Sequence, residues 1–188
     1  FSLAAACFHY SAFVLPLLTF FGSRPLTLRG RLVIGAIPLL GYLLFFGGFD
    51  PIASLPIPWI QEKLWIYERL RDSGMAGDAI NVFNIVYVMR LLVFYLLLWK
   101  YDVIKEQAPN LSLLLKVFAI SYFCFTALGA LPVMAFRYAE LFGVVEIVMV
   151  PYLALTMKPE AFGKSLVIVF AFGCMMLNVF YNELLKLS

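Results

Sequence analysis

Apolar residues fall in long runs separated by short polar stretches, and this alternation dominates the chain. Six runs stand out, at approximately 1–21, 32–49, 81–99, 111–131, 138–156 and 164–185. Each approaches the roughly 20 residues that an α-helix needs to cross a bilayer. They predict an all-α polytopic transmembrane helical bundle of about six spans. No repeat with a period of about 20–50 residues is visible, and no low-complexity linker divides the chain. Residues 1–188 therefore read as a single membrane domain.

The connections between runs alternate in character. Residues 23–31 contain Arg24, Arg29 and Arg31 without an acid. Residues 100–110 contain Lys100 and Lys105, and residues 157–164 contain Lys158 and Lys164. With six spans these three connections share one side, which the positive-inside rule makes cytoplasmic. The other side receives the long loop 50–80, the turn near 132–137 and the terminus 182–188. Within that outer loop, Pro56 and Pro58 exclude helix at first. Ile60, Leu64, Tyr67 and Leu70 then recur at helical spacing, with Glu62, Lys63, Glu68, Arg69 and Arg71 on the other faces. This predicts an amphipathic helix on the membrane surface, with Trp59 and Trp65 at interfacial depth. It reads either as a brace or as a lid that offers Arg69 and Arg71 to an anionic ligand.

Composition agrees with this pattern. Hydrophobic residues form 64% of the chain and charged residues 13%, where soluble domains carry about 25% charged. That leaves too little polar surface to cover a soluble core. The net charge of +3 lies between the apolar runs and forms no nucleic-acid patch. Cys7, Cys124 and Cys174 each sit inside an apolar run, an odd count whose spacing suits neither a disulfide framework nor a zinc site. Phe1 opens directly into an apolar run, so the sequence reads as the C-terminal part of a longer polypeptide.

Ionisable groups within spans are costly and point to function by default. Arg90 lies near the middle of the third run, preceded by Asn81, Asn84 and Tyr87 at three-residue intervals, a polar stripe. Glu146 lies at similar depth in the fifth run. An Arg90–Glu146 ion pair is the scaffold reading of both. Arg137 and Glu140 are three residues apart at the outer end of the fifth run, so they share a helix face and can pair. At a helix N-terminus the backbone adds positive potential, where Arg137 is suited to grip a phosphate bidentately. His9 in the first run is either hydrogen-bonded to a neighbouring helix or a base or substrate contact.

Three segments carry a family resemblance. Ala5-Ala6-Cys7-Phe8-His9-Tyr10-Ser11-Ala12 is similar to a small-apolar run ending in His-x-Ser-Ala. Lys63-Leu64-Trp65-Ile66-Tyr67 is followed by a Gly-containing loop and a long span. Arg137-Tyr138-Ala139-Glu140-Leu141-Phe142 resembles an Arg-hydrophobic-x-x-aromatic-Phe segment before a late helix, with Glu140-Leu141 standing where an acidic–aromatic pair is expected. In this order and spacing the chain resembles the Wzy-type polysaccharide polymerases, specifically the EpsG-like family of exopolysaccharide and O-antigen polymerases.

The resemblance implies a membrane glycosyltransferase of GT-C-like architecture at the outer face of the cytoplasmic membrane. It would join oligosaccharide repeat units carried on undecaprenyl diphosphate, with no nucleotide sugar, metal or other cofactor. The bilayer and a chain-length regulator protein are the further partners, and nucleic acid is not one. The diphosphate leaving group requires cations, for which Arg137 and Arg90, with Arg69 or Arg71, are candidates. The attacking hydroxyl requires a general base, with Glu140, His9 and Asp50 open. Trp59, Trp65, Tyr67 and Tyr138 offer aromatic faces for sugars. Rival readings are a flippase, a ligase or acyltransferase acting on similar lipid-linked substrates, and a scaffold subunit whose charges are merely paired.

Overall fold

The computed structural model describes residues 21–48, 56, 58, 61–62, 64–66, 69, 73 and 80–180. Among them the chain is helical, with no strand. The elements are α1 (Leu28–Phe46), α2 (Ile85–Trp99), α3 (Tyr101–Ile104), α4 (Leu111–Ala127), α5 (Pro132–Gly143) and α6 (Glu146–Met149), then a 3-10 helix (Val150–Thr156) and α7 (Glu160–Phe180). The first apolar run, 1–21, lies almost wholly outside the described residues.

Thr27 starts α1 by accepting a hydrogen bond from the Gly30 N–H at its hydroxyl, 3.2 Å away, a favoured N-cap arrangement. The helix ends at Gly47, whose N–H donates to the Leu43 carbonyl, and at Gly48 with φ +66°, a conformation glycine adopts without a Cβ penalty. It is long and apolar enough to cross a membrane, yet only 17% of its apolar stretch is buried. A core helix of a soluble domain would be mostly covered. Leu32, Val33 and Leu43 are among the large apolar side chains left exposed, which suits a hydrocarbon surrounding.

Apart from Ile34, the buried face of α1 is a line of small or narrow residues, Gly35, Pro38 and Gly41. There α1 meets α2 and α4 closely, as membrane helices do through small residues. The Tyr95 hydroxyl of α2 donates to the Gly35 carbonyl at 2.8 Å. The Tyr42 hydroxyl donates to the Val82 carbonyl at 3.0 Å and lies 2.9 Å from the Tyr122 hydroxyl. Because Tyr42 has a single proton, Tyr122 is the donor in that second bond. The α4 helix is the centre of the bundle, with Leu115, Phe118, Ala119, Tyr122 and Phe125 almost fully buried. Ser121 ties it to α5 by donating to the Ala139 carbonyl at 2.6 Å. Gly163 brings α7 onto the 3-10 helix, where a Cβ would lie 2.6 Å from the Ala154 carbonyl oxygen.

Two expectations from the apolar pattern are corrected here. Run 81–99 predicts a helix with Asn81 and Asn84 on a polar stripe. Instead Asn81 accepts from the Phe83 N–H, and Asn84 caps α2 by accepting from the Val86 N–H at 2.9 Å. Asparagine side chains compete for nearby backbone donors, which places them in turns and caps rather than helix interiors. Run 138–156 predicts one straight span. The helix starts six residues earlier, at Pro132, and bends by 42° between Gly143 and Glu146. Glycine and two β-branched valines weaken the helix at 143–145. Pro151 then lacks the N–H that an α-helix would donate to the Ile147 carbonyl, so the chain continues as 3-10 helix.

A small charge network closes the connection between α2 and α4. Arg31 approaches Asp102 at 2.8 Å, and the Lys105 ammonium donates to Asp102 at 3.0 Å. The Lys105 hydrogen bond, then the charge of Arg31, holds the Asp102 carboxyl below its usual range. Its contribution to stability is therefore present above the unfolded-state value of about 3.9 and is lost as pH falls through the lower folded value. Asp102→Asn is expected to lower the melting temperature only slightly at neutral pH, because the carboxylate is exposed and screened. Melts of detergent-solubilised protein should show the difference shrinking with salt and disappearing in acid. A difference that persists in acid would contradict this account.

Candidate functional site

The chemistry gathers where α2, the α5–α6 elbow and α7 meet. Arg90 and Glu146 form an ion pair, with Nε 3.0 Å from Oε2 and side chains 27% and 15% exposed. The scaffold pairing expected of these two residues is thus present. The Arg90 guanidinium also lies 5.0 Å from the centre of the Tyr87 ring, within cation–π range. Tyr87 in turn stacks on Phe125 at 3.5 Å with rings nearly parallel, and Phe136 of α5 meets Phe125 edge-on at 5.8 Å. Core aromatics therefore fix the depth and orientation of Arg90. With its guanidinium committed to Glu146, Arg90 is a poor independent ligand for a diphosphate.

Beside the pair lies a cavity of about 550 Å³. The two halves of the bent helix contribute Glu140, Val144, Ile147 and Val150 to its walls, and α7 contributes Val167, Phe170, Ala171 and Cys174. Those α7 positions follow helical spacing, so one stripe of α7 faces the space. Apart from Arg90 and the two carboxylates, the lining is almost wholly apolar. The 42° elbow lies within this wall, so both halves of the bent helix face the space. Cys174, in an apolar run, is half-buried on this wall. Sequence reading missed the cavity, and its available signals were Gly143 and Pro151.

Arg137 and Glu140 are both exposed on α5 and share a face. No ion pair joins them among the described residues. Arg137 is also not at a helix N-terminus, as the sequence suggested. With Pro132 at the first helical position, the unpaired backbone N–H groups lie a turn earlier. Its cationic character is its own guanidinium. Tyr138 is half-buried on an adjoining face.

The outer loop is described only in part. Residues 58, 61–62, 64–66 and 69 are helical, in keeping with the predicted amphipathic helix. Leu64 is buried while Gln61, Glu62, Trp65 and Ile66 are exposed. Arg69 packs on the Trp65 ring at 3.7 Å, one turn away along the helix. Arg69 and Trp65 thus form a local unit, and neither lines the cavity. His9, Asp50, Tyr67 and Arg71 lie outside the described residues. No group of three or more metal-ligating side chains occurs among the described residues.

No curated protein and no solved structure matches the chain. The sequence model of the EpsG family matches it over residues 1–187. That match takes in the His9 segment, the outer loop, the bent helix and α7 alike, and the chain belongs to the EpsG family.

Proposed function

We propose that this protein polymerises oligosaccharide repeat units carried on undecaprenyl diphosphate, at the outer face of the cytoplasmic membrane. The family match over residues 1–187 carries this reading, since family membership supports a polysaccharide-polymerase type of activity and a membrane setting. The uncovered apolar faces of α1 and α7 suit that setting. The basic connections at 23–31, 100–110 and 157–164 favour six spans with the loop 50–80 outward. A chain-length regulator is a partner for such an enzyme.

In the proposed reaction a hydroxyl of the incoming unit attacks the anomeric carbon that links the growing chain to its lipid diphosphate. The new glycosidic bond forms as the carbon–oxygen bond to the diphosphate breaks. Glu140 accepts the hydroxyl proton, because it is the exposed carboxylate on the same helix face as Arg137. His9 and Asp50 are the alternative bases. Arg137 stabilises the charge that develops on the leaving diphosphate. Tyr138, Tyr67 and Trp65, with Arg69 and Arg71, contact the glycan and its anionic end.

Arg137→Ala tests the reading. Loss of one such electrostatic donor commonly lowers turnover by about 10²–10³, which would leave surface glycan as single capped repeats with normal amounts of protein in the membrane. Normal modal chain length would remove Arg137 from the mechanism. A flippase reading has one observation in its favour, the broken helix at 143–146, since broken helices recur at transport sites. It predicts loss of capped single repeats as well, and so does a ligase.

A further inference from the structure

The elbow cavity has walls that discriminate between the two ends of a lipid-linked substrate. We infer that it seats the hydrocarbon tail of a polyprenyl diphosphate, with the diphosphate outside the cavity toward Arg137. The identity of the lipid rests on the polymerase reading. The placement of tail and head rests on the cavity itself.

Charge decides against the head. The cavity offers one guanidinium, already held by Glu146 at 3.0 Å, against the two carboxylates Glu140 and Glu146. Glu140 makes no ion pair among the described residues. A diphosphate placed here would gain no uncommitted cation and would face a surplus negative charge in a low-dielectric setting, where like charges repel strongly. Shape and polarity favour the tail. Val144, Ile147 and Val150 on one side and Val167, Phe170 and Ala171 on the other form an apolar trough, and its volume suits a ligand segment.

The trough is also open to the bilayer. Ile147 lines it while remaining 75% exposed, and the neighbouring Val148 and Val169 are exposed too. Its rim is therefore continuous with the uncovered apolar surface, so a branched hydrocarbon can enter sideways without crossing water. Glu140 marks the polar end. Arg137 lies three residues further along α5, about 4.5 Å of helical rise, so the cation adjoins the place where the tail must emerge. This arrangement gives Arg137 the head and leaves Arg90 a positioning role as the clamp on Glu146.

The full-length protein in detergent, incubated with a polyprenyl diphosphate carrying a diazirine near the end of its tail, provides the test. After illumination, peptide mass spectrometry is expected to find label within 144–151 and 167–174. Unlabelled polyprenyl diphosphate should compete, whereas inorganic pyrophosphate and excess phosphatidylglycerol should not. Ala171→Trp, which fills the trough, should lower labelling roughly tenfold. Should that variant fail to fold, the competition series on the wild-type protein decides alone.

Label confined to other segments would overturn the inference, as would displacement by pyrophosphate or equal competition by phosphatidylglycerol. The polymerase reading is scored separately, by glycan length in cells. Tail label elsewhere together with chain loss in Arg137→Ala sinks the cavity assignment and spares the polymerase. Tail label here together with unchanged glycan length in cells lacking the protein does the reverse.

Discussion

Glu146→Ala is expected to destabilise the fold by about 2–3 kcal/mol, short of the roughly 3–5 kcal/mol that unpairing a fully buried ion pair costs, because the pair is half-buried. Arg90 cannot escape to water by a small rotamer change. Its guanidinium is set over Tyr87, and Tyr87 is stacked flat on Phe125 in the centre of the bundle. Arg90→Ala should cost a similar amount, because the Glu146 carboxylate, 15% exposed, would then stand alone. Removing both charges tells a different story. Arg90→Met with Glu146→Leu replaces the pair by apolar groups of similar size, a change that is often close to neutral. The expected signature is strong non-additivity between the sites, read as melting temperature and as monodisperse yield after detergent extraction. The Arg31–Asp102 pair, whose carboxylate is exposed, should show much less. Wild-type stability in Glu146→Ala would mean that the pair contributes nothing. A folded double variant also tests function: normal chain length would make the pair pure scaffold, whereas shortened chains would show that it positions the neighbouring wall.

How much of this was legible in the sequence depends on the physics behind each residue. The Arg90–Glu146 pair was readable because two ionisable groups at mid-run depth have few affordable states other than each other. The apolar runs were readable as helices for the same reason, since backbone groups in hydrocarbon must bond internally. Asn81 and Asn84 misled because a spacing of three is also what a cap and a preceding turn produce. Only side-chain preference for local backbone donors separates the two cases. The start of α5 was marked by Pro132, a favoured first helical residue, but its short stretch looked like a turn between two long runs. The elbow had no hydrophobic signature, because Val144, Val145, Ile147 and Val148 sustain the apolar run straight through the bend. As for the candidate site, Arg137 and Glu140 were legible as one helix face. Their relation to the cavity was not, because the stripe Val167, Phe170, Ala171 and Cys174 carries no charged group to announce it.

Gly41→Leu is expected to be the other severe substitution, and the reason is geometric. Replacing a helical glycine ordinarily helps, by about 1 kcal/mol for alanine. At Gly41 that gain is outweighed, because a Cβ there would overlap the Thr126 hydroxyl and approach the Phe123 backbone oxygen at 3.2 Å and its Cα at 3.3 Å. Thr126 is almost fully buried, and backbone atoms of α4 cannot step aside without moving the central helix. Gly41→Ala should therefore lose about 1–3 kcal/mol, the common range for overpacking. Gly41→Leu should reach or exceed the top of that range and leave little extractable folded protein. Thr126→Ala removes the overlapping hydroxyl and gives up only bonds to the Tyr122 and Phe123 carbonyls of its own helix. It should rescue much of Gly41→Ala but little of Gly41→Leu, whose branches still meet the Phe123 backbone. Gly173 on α7 provides the opposite sign, since a Cβ there meets nothing within 4 Å. Gly173→Ala should raise the melting temperature while Gly41→Ala lowers it. If both shift the same way, helix propensity rather than the α1–α4 crossing governs these glycines, and the close packing inferred for Gly35, Pro38 and Gly41 fails with it.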